Sequence, residues 1–414
     1  MKAIIIGGGI GGLTTALCLY EAGIEVQVYE SVRELRPLGV GINLLPHSVR
    51  VLTNLQLEEK IAQMAVETSD LVYFNRFGQK FWQEPRGRHA GYHWPQFSIH
   101  RGAFQMLLLQ TVRERIGEDA VRTNHHLESF EETAEGIRAT FVDRETGQVL
   151  GTDRGDLLIG CDGIHSVVRK QLYPQEGGPC FSGNVLYRGT TRMQPFLNGT
   201  SMVMIGSMMQ KMVAYPISPD LDANGHQLIN WVANLKESDT QLMTIRDWNR
   251  PADQDWLVRK YQHWTFDWLD VPAMIAGAEA VYEFPMSDRD PLDRWTFGRI
   301  TLLGDAAHPM YPIGSNGASQ AILDAEVLAD CLQSTSDIPT ALREYEQKRL
   351  PATSQVVQGN RQKGPDQILD IMEERAPNGF TDPYEVFPYA EMDAIMSRYK
   401  VIAGFDKESL NQKS

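Results

Sequence analysis

Cysteine is scarce in this chain and nothing organises what there is. Cys18, Cys161, Cys180 and Cys331 form no C-x-x-C pair and have no histidine nearby. That spacing excludes a zinc ribbon, a disulfide scaffold and a redox C-x-x-x-x-C, so no metal site is expected. Reduced thiols in the cytoplasm are the expectation. Positive charge is also short: 39 Lys and Arg against 53 Asp and Glu leave a net charge of −14. Nucleic acid and anionic membranes need a basic surface, so neither partner is expected. No uninterrupted apolar run of about 18 residues exists, so nothing is expected to cross a membrane. The apolar stretch from Ala3 to Leu19 is too rich in glycine for a signal peptide and lacks its cleavage pattern. There is no evident nucleophilic triad, internal repeat or low-complexity tract.

What is present is an enzyme-like composition, 42% hydrophobic and 22% charged over 414 residues, enough for two or three core-forming units. The most informative stretch is GRITLLGDAAHPMYPIGSNGASQAILDAE, from Gly298 to Glu326. It reads as a short strand over Ile300 to Leu303, a loop holding Asp305, His308, Pro312, Gly314, Asn316 and Gly317, then a helix restarting near Ala318. A carboxylate at a strand end accepts hydrogen bonds from sugar-like hydroxyls. Glycines let the backbone approach a ligand, and the helix dipole favours an anion.

The N-terminus repeats this logic. AIII predicts a buried strand, followed by Gly7, Gly9 and Gly12 in a G-x-G-x-x-G loop that opens a helix carrying Ile10, Leu13 and Leu17. A second strand, Val26 to Tyr29, delivers Glu30 roughly 20 residues on, where an acid holds a ribose hydroxyl. Gly39 and Gly41 mark a further close backbone approach, and Arg36 beside them reads equally as a phosphate ligand or a solvated surface residue. Arg101 opens another helix, where a cation opposes the dipole, so an anionic ligand explains it better. A strand pair is expected between Val121 and Val149. Then DLLIGCDGIHSVVRK repeats strand, acid, glycine and helix at Asp162 and Gly163.

Residues 181 to 286 change character. Ile229, Trp231, Ala233 and Leu235 alternate with polar neighbours, which predicts strands of a mostly antiparallel sheet. Five methionines between Met202 and Met212 suit an irregular apolar pocket, though core packing is the commoner use. Tyr215 is equally a core tyrosine or a residue facing substrate. Arg188 reads as half of an intrasheet salt bridge more readily than as a carboxylate ligand. Beyond Gly364, prolines, acids and scattered aromatics suggest a lid or docking tail.

Gly7 to Gly12 with Glu30, the CDG of Cys161 to Gly163 with Arg169, and GDAAH from Gly304 to His308 resemble the three fingerprints of single-component FAD-dependent aromatic hydroxylases. RPLGVGIN, SIHRG, AYPIS, NWV, DRDPL and NGASQAILD are similar to the branch containing the phenazine-modifying monooxygenase of pyocyanin biosynthesis. The resemblance implies an α/β fold: a Rossmann-like parallel-sheet FAD domain (1–72, 97–182, 286–361), an antiparallel substrate sheet (73–96, 183–285) and a C-terminal helical tail (362–414). It implies non-covalent FAD, NADH or NADPH as co-substrate, and O2 activated at flavin C4a to hydroxylate an aromatic small molecule, with or without decarboxylation.

Position by position, the resemblance puts Glu30 at the adenosine ribose and Gly11, Gly12 and Arg101 at the pyrophosphate, with Gly9, Ile10, Leu13 and Ser31 also binding the cofactor. Arg36, Gly41, Ile42, Leu127, Asp162 and Gly163 would complete the cofactor cradle. Asp305 would meet the ribityl chain, and Pro312, Gly314, Asn316, Gly317 and Ala318 the flavin ring. Tyr215 and Pro312 are the candidates for catalysis. Leu45, Arg188, Met204, Tyr215, Trp231 and Met286 would face an aromatic substrate, a fused N-heterocycle or a small phenolic acid, in a monomer or homodimer. A flavin reductase on the same fold, and a ligand-sensing flavoprotein without turnover, are the competing readings.

Overall fold

The computed structural model describes residues 1–37, 39–236 and 250–413. A five-stranded parallel sheet runs in the order Ile300–Leu302, Leu157–Gly160, Lys2–Ile6, Glu25–Tyr29, Val121–Arg122. Ile5 lies in register with Ile159 on one side and Val28 on the other. Its strands are continuous apolar runs because both faces are covered. Helices Ile10–Glu21, Arg101–Arg115 and Gly317–Ser334 pack together on the sheet. An antiparallel meander, His126–Thr133, Gly136–Val142 and Val149–Gly155, also packs there. Phe141 of the meander stacks on Tyr29 with ring centroids 3.9 Å apart.

The meander corrects the expected strand pair. Val121–Arg122 joins the parallel sheet, and Val149–Gly155 is a third meander strand. That third strand is exposed along most of its length, so it lacks the apolar alternation by which a strand is recognised.

The second sheet has eight strands in the order Arg250–Pro251, Val281–Asp288, Cys180–Met193, Gln227–Lys236, Gln210–Leu221, Ser201–Ser207, Asp70–Phe74, Lys80–Pro85. It is antiparallel except where Ser201–Ser207 pairs parallel with Asp70–Phe74. The α/β architecture of a parallel sheet beside a larger, mostly antiparallel one is the architecture expected. On one face, Val185, Ile229, Trp231, Ala233 and Met212 bury against helices Gln254–Lys260 and Val271–Ala276. The other face carries Leu186, Arg188, Val213, Tyr215, Val232 and Asn234 toward a cavity.

This alternation corrects the placement of Trp231 among the substrate residues. It is fully buried in the opposite core, and its indole Nε1 donates to Thr191 Oγ1 at 3.0 Å. Its neighbours Val232 and Asn234 occupy the cavity face, since successive side chains point to opposite sides of a strand.

The C-terminal segment is a packed wall. Ile368, Leu369 and Met372 of helix Gln367–Arg375, and Met392 and Met396 of helix Tyr389–Ala403, join Leu71, Tyr73 and Met204 in one core. Met392, Met396, Tyr399 and Ala403 recur at helical spacing and are all buried, a periodicity that identifies a core-facing helix. Among the described residues, no helix is long and apolar enough to cross a membrane.

Candidate active site

The strand Lys2–Ile6 ends in a turn that only glycine fits. Gly7 has φ +108°, and a Cβ at Gly12 would lie 1.9 Å from the Gly7 carbonyl oxygen. Helix Ile10–Glu21 starts at Gly9 with no side-chain cap, so its first N–H groups are left for a ligand. Glu30 closes the loop: its carboxylate accepts from the Gly8 amide at 2.7 Å and the Val32 amide at 2.9 Å. Ser31 Oγ donates to the same carboxylate at 3.1 Å.

The strand Ile300–Leu302 leads to the second terminus. Asp305 lies in a single 3-10 turn, Gly304–Ala306, with its carboxylate open to the cavity. Desolvation raises its pKa, opposed by the nearby charges of His308 and Arg101. Helix Gly317–Ser334 also starts without a side-chain cap. The amide nitrogen of its N-cap residue, Asn316, donates to Gly314 O at 3.0 Å and to Tyr399 Oη at 2.9 Å, while its oxygen accepts from Gln320 Nε2 at 3.4 Å. Tyr399 in turn donates to Asn360 Oδ1 at 2.7 Å. The C-terminal wall therefore holds the ligand loop, and a Cβ at Gly314 would lie 2.2 Å from the Tyr399 hydroxyl.

Beneath the loop lies a buried network. Asp324 meets His308 Nε2 at 2.6 Å and Arg349 Nε at 2.6 Å, and the Gly304 amide donates to it at 3.1 Å. Burial alone raises a carboxyl pKa, but His308 and Arg349 outweigh it and bring Asp324 from the ordinary 3.8 to about 2. A carboxyl depressed in the folded state stabilises fully above its unfolded value. That stability is lost as pH falls through the folded value, here between about 4 and 2. Asp324→Asn is expected to cost about 3–5 kcal/mol at neutral pH, because it leaves Arg349 unpaired. It should also flatten the dependence of the urea midpoint on pH across that acid window. An unchanged acid limb would show that Asp324 does not carry it.

Both helix termini open on one cavity of about 380 Å³, within the range of small-molecule sites. Of the residues singled out from sequence, Gly9, Ile10, Gly11, Gly41, Ile42, Arg101, Gly163, Asp305, Pro312, Asn316, Gly317 and Ala318 line it on one side. Arg188, Met204, Tyr215 and Met286 line it on the other. Gly12 and Leu13 lie behind, shaping the helix start, and Asp162 caps the next helix, accepting from Ser166 Oγ at 2.5 Å and Val167 N at 2.7 Å. Leu127 is core, and Leu45 and Gly314 line a small neighbouring pocket with Tyr399. Arg36 is exposed and paired with Glu34 at 2.7 Å, away from the cavity, which corrects its assignment as a cofactor ligand. Sequence reasoning missed Lys211, Asn234 and Asp366, which also line the cavity.

Of the cations that line the cavity, Arg101 and Arg188 have no carboxylate partner among the described residues. Arg101 lines the cavity together with Gly9, Ile10 and Gly11, and no side-chain partner meets it among the described residues. Arg188 makes a single hydrogen bond, from Nη2 to Gly41 O at 3.1 Å, its guanidinium lies 5.9 Å from the centre of the Phe284 ring, and its Nε is buried with no hydrogen-bond partner. The intrasheet salt bridge expected for Arg188 is therefore not formed: its cross-strand neighbours, Val232 and Tyr282, carry no acid.

The family described as FAD binding domain matches residues 1–360. A phenazine 1,6-dicarboxylic acid hydroxylase of Lysobacter antibioticus is 43% identical over 96% of each chain. The chain belongs to the FAD-dependent aromatic hydroxylases. A 3-amino-4-hydroxybenzoate 2-monooxygenase of Streptomyces platensis is 32% identical over 88% of this hydroxylase and 87% of that protein. The fold agrees with solved structures: HpxO of Klebsiella pneumoniae with FAD and uric acid has a TM-score of 0.75 at 24% identity, covering 96% of this chain and 97% of that one. A salicylate hydroxylase substrate complex has a TM-score of 0.75 at 22% identity, covering 100% and 97%.

The residues of this hydroxylase fit FAD. Two uncapped helix termini suit its phosphates and its ring, Glu30 suits a ribose, Asp305 a polyol, and the unpaired Arg101 a phosphate charge. The enzyme is an FAD-dependent monooxygenase that uses NAD(P)H and O2.

Proposed function

We propose that this monooxygenase hydroxylates a fused N-heteroaromatic carboxylate, with or without loss of CO2. The observation that carries this reading is Arg188: a half-buried guanidinium in the cavity wall, with no acid to pair it and an unpartnered Nε. An unpaired charge is costly in such a place and is retained where a ligand supplies the counter-charge. The apolar lining of Met202, Met204, Val213, Val232 and Met286 suits a flat aromatic ring. The phenazine acid named for the 43% identical relative supports the same class.

FAD, when bound, supplies the redox chemistry, taking hydride from NADH or NADPH and passing oxygen from O2 to the ring. The chain's own tasks are to place the ring, exclude water and stabilise charge. Asp305, the Gly317 helix terminus and the Pro312 loop bound the flavin side, opposite Arg188 and Tyr215. Tyr215 is buried, its hydroxyl has no hydrogen-bond partner among the described residues, and desolvation, opposed by Arg188, pushes its pKa up to about 12. It therefore remains protonated at neutral pH and acts as a hydrogen-bond donor that orients substrate. The four free cysteines suit a reducing compartment, which supports a cytoplasmic enzyme.

The test follows NADH and NADPH oxidation and oxygen uptake against phenazine carboxylates, quinoline carboxylates and hydroxybenzoates. One class should accelerate pyridine-nucleotide oxidation and yield a product heavier by one oxygen, or by one oxygen less CO2. Acceleration by uncharged rings alone would overturn the carboxylate reading. With the active compound, Tyr215→Phe is expected to lower the fraction of NAD(P)H use that ends in hydroxylated product by about 2- to 10-fold, one hydrogen bond's worth. Unchanged coupling would remove Tyr215 from the reaction.

A further inference from the structure

The cavity wall far from Arg188 carries a second polar cluster. Lys211 is 7% exposed, Asn234 1% and Asp366 0%, yet all three line the cavity. Lys211 Nζ pairs with Asp366 Oδ2 and lies 3.6 Å from Met208 Sδ. Asn234 Nδ2 donates to Met208 O at 3.1 Å and Asn184 Oδ1 at 3.4 Å. That leaves two buried acceptors unpartnered, Asp366 Oδ1 and Asn234 Oδ1. A pair serving only to pin the C-terminal wall to the sheet would need neither orphan. Buried acceptors without donors cost free energy unless a ligand satisfies them.

Register places this cluster relative to Arg188. Asn234 pairs with both Leu186 and Lys211, and Val232 with both Arg188 and Val213. Lys211 is thus two residues along and two strands across from Arg188. At ~3.4 Å per residue and ~4.8 Å per strand, the Cα atoms are roughly 12 Å apart. Both side chains line the same cavity.

Resting on the carboxylate reading of Arg188, we propose that the Lys211–Asp366–Asn234 cluster is a substrate subsite that recognises a hydrogen-bond donor. The preferred ring carries a carboxylate at one end and a hydroxyl or amino group at the other. A second carboxylate there meets two oxygen acceptors and an ammonium whose charge Asp366 already balances.

The experiment titrates the holoenzyme by its flavin spectrum with phenazine-1-carboxylate and its 6-hydroxy, 6-methoxy and 6-carboxy forms. The 6-hydroxy compound should bind about 10- to 100-fold tighter than the parent, as a donor meeting a charged acceptor does. The methoxy and dicarboxylate forms should show no such gain. In the double variant Lys211→Met/Asp366→Leu the hydroxy-to-parent ratio should fall to near one. That exchange removes both charges together, which cores tolerate far better than removing one, and retained flavin reports the fold. If it fails to fold, the wild-type series decides alone. Equal affinity of the hydroxy, methoxy and parent compounds overturns the subsite and leaves the Arg188 reading standing. Undiminished binding of phenazine-1-carboxamide overturns the Arg188 reading, while the hydroxy preference still decides the subsite.

Discussion

Gly12→Ala is expected to yield protein that retains no FAD through purification, with an affinity loss beyond about 100-fold. The new Cβ would sit 1.9 Å from the Gly7 carbonyl oxygen and 3.4 Å from Cys161 Cβ. The Gly7 contact is backbone, so the helix and the strand end must separate. Overpacking of this kind costs about 1–3 kcal/mol by itself. It also displaces the N–H groups of the loop from the geometry an anion needs. Gly9→Ala is the control: nothing lies within 4 Å of its Cβ and its φ of −76° suits alanine. That variant should melt as the wild type does without cofactor, while still losing FAD affinity because its methyl group enters the cavity. Visible flavin absorbance and melting curves with and without added FAD separate the two. A yellow Gly12→Ala protein would show that this loop is not the phosphate cradle.

Arg188→Met is expected to raise KM for the carboxylate substrate by about 30- to 1000-fold, the cost of losing one partner of a desolvated charge pair. FAD content should change little, since Arg188 is on the substrate sheet and touches the expected cofactor cradle only through its bond to the Gly41 carbonyl. Stability should not fall, and this separates a binding role from a structural one. In the free enzyme the guanidinium makes a single hydrogen bond to Gly41 O, lies 5.9 Å from the Phe284 ring centre and has an unpartnered Nε, so methionine removes a desolvated charge, keeps an apolar neighbour for Phe284 and breaks no ion pair. Activities that need strained or unpaired groups carry this trade with stability. A destabilised Arg188→Met protein with unchanged KM would make Arg188 a framework residue.

Much of the cavity lining was legible in the sequence. The G-x-G-x-x-G loop with Glu30, and Asp305 before a glycine-bearing helix start, are local patterns: strand, turn and helix terminus lie within a few residues, so spacing alone implies the geometry. Gly41 could be suspected as a close approach, and the structure supplies the cause, since a Cβ there would lie 2.6 Å from Ile217 and 2.8 Å from Asn230. Strand alternation over 229–235 was legible too, but not which face was wet. Trp231, the larger residue, went to the core between sheet and helices, and Val232 and Asn234 to the cavity.

By itself the sequence determined the parallel-sheet core, the glycine turn closed by Glu30 and the enzyme's family, because those rest on short-range spacing. Tertiary structure alone decided what lines the antiparallel-sheet wall of the cavity. Lys211 and Asp366 are far apart in the chain, and nothing in either's neighbourhood foretells a buried pair. Arg188 had an expected partner until the sheet register set Val232 and Tyr282 beside it. The C-terminal helices became a wall because their apolar stripes close over Leu71, Tyr73 and Met204, strands that reach that face only when the sheet is assembled. Burial and pairing across the chain depend on the long-range register of strands, and local pattern does not encode register between segments that meet only on folding.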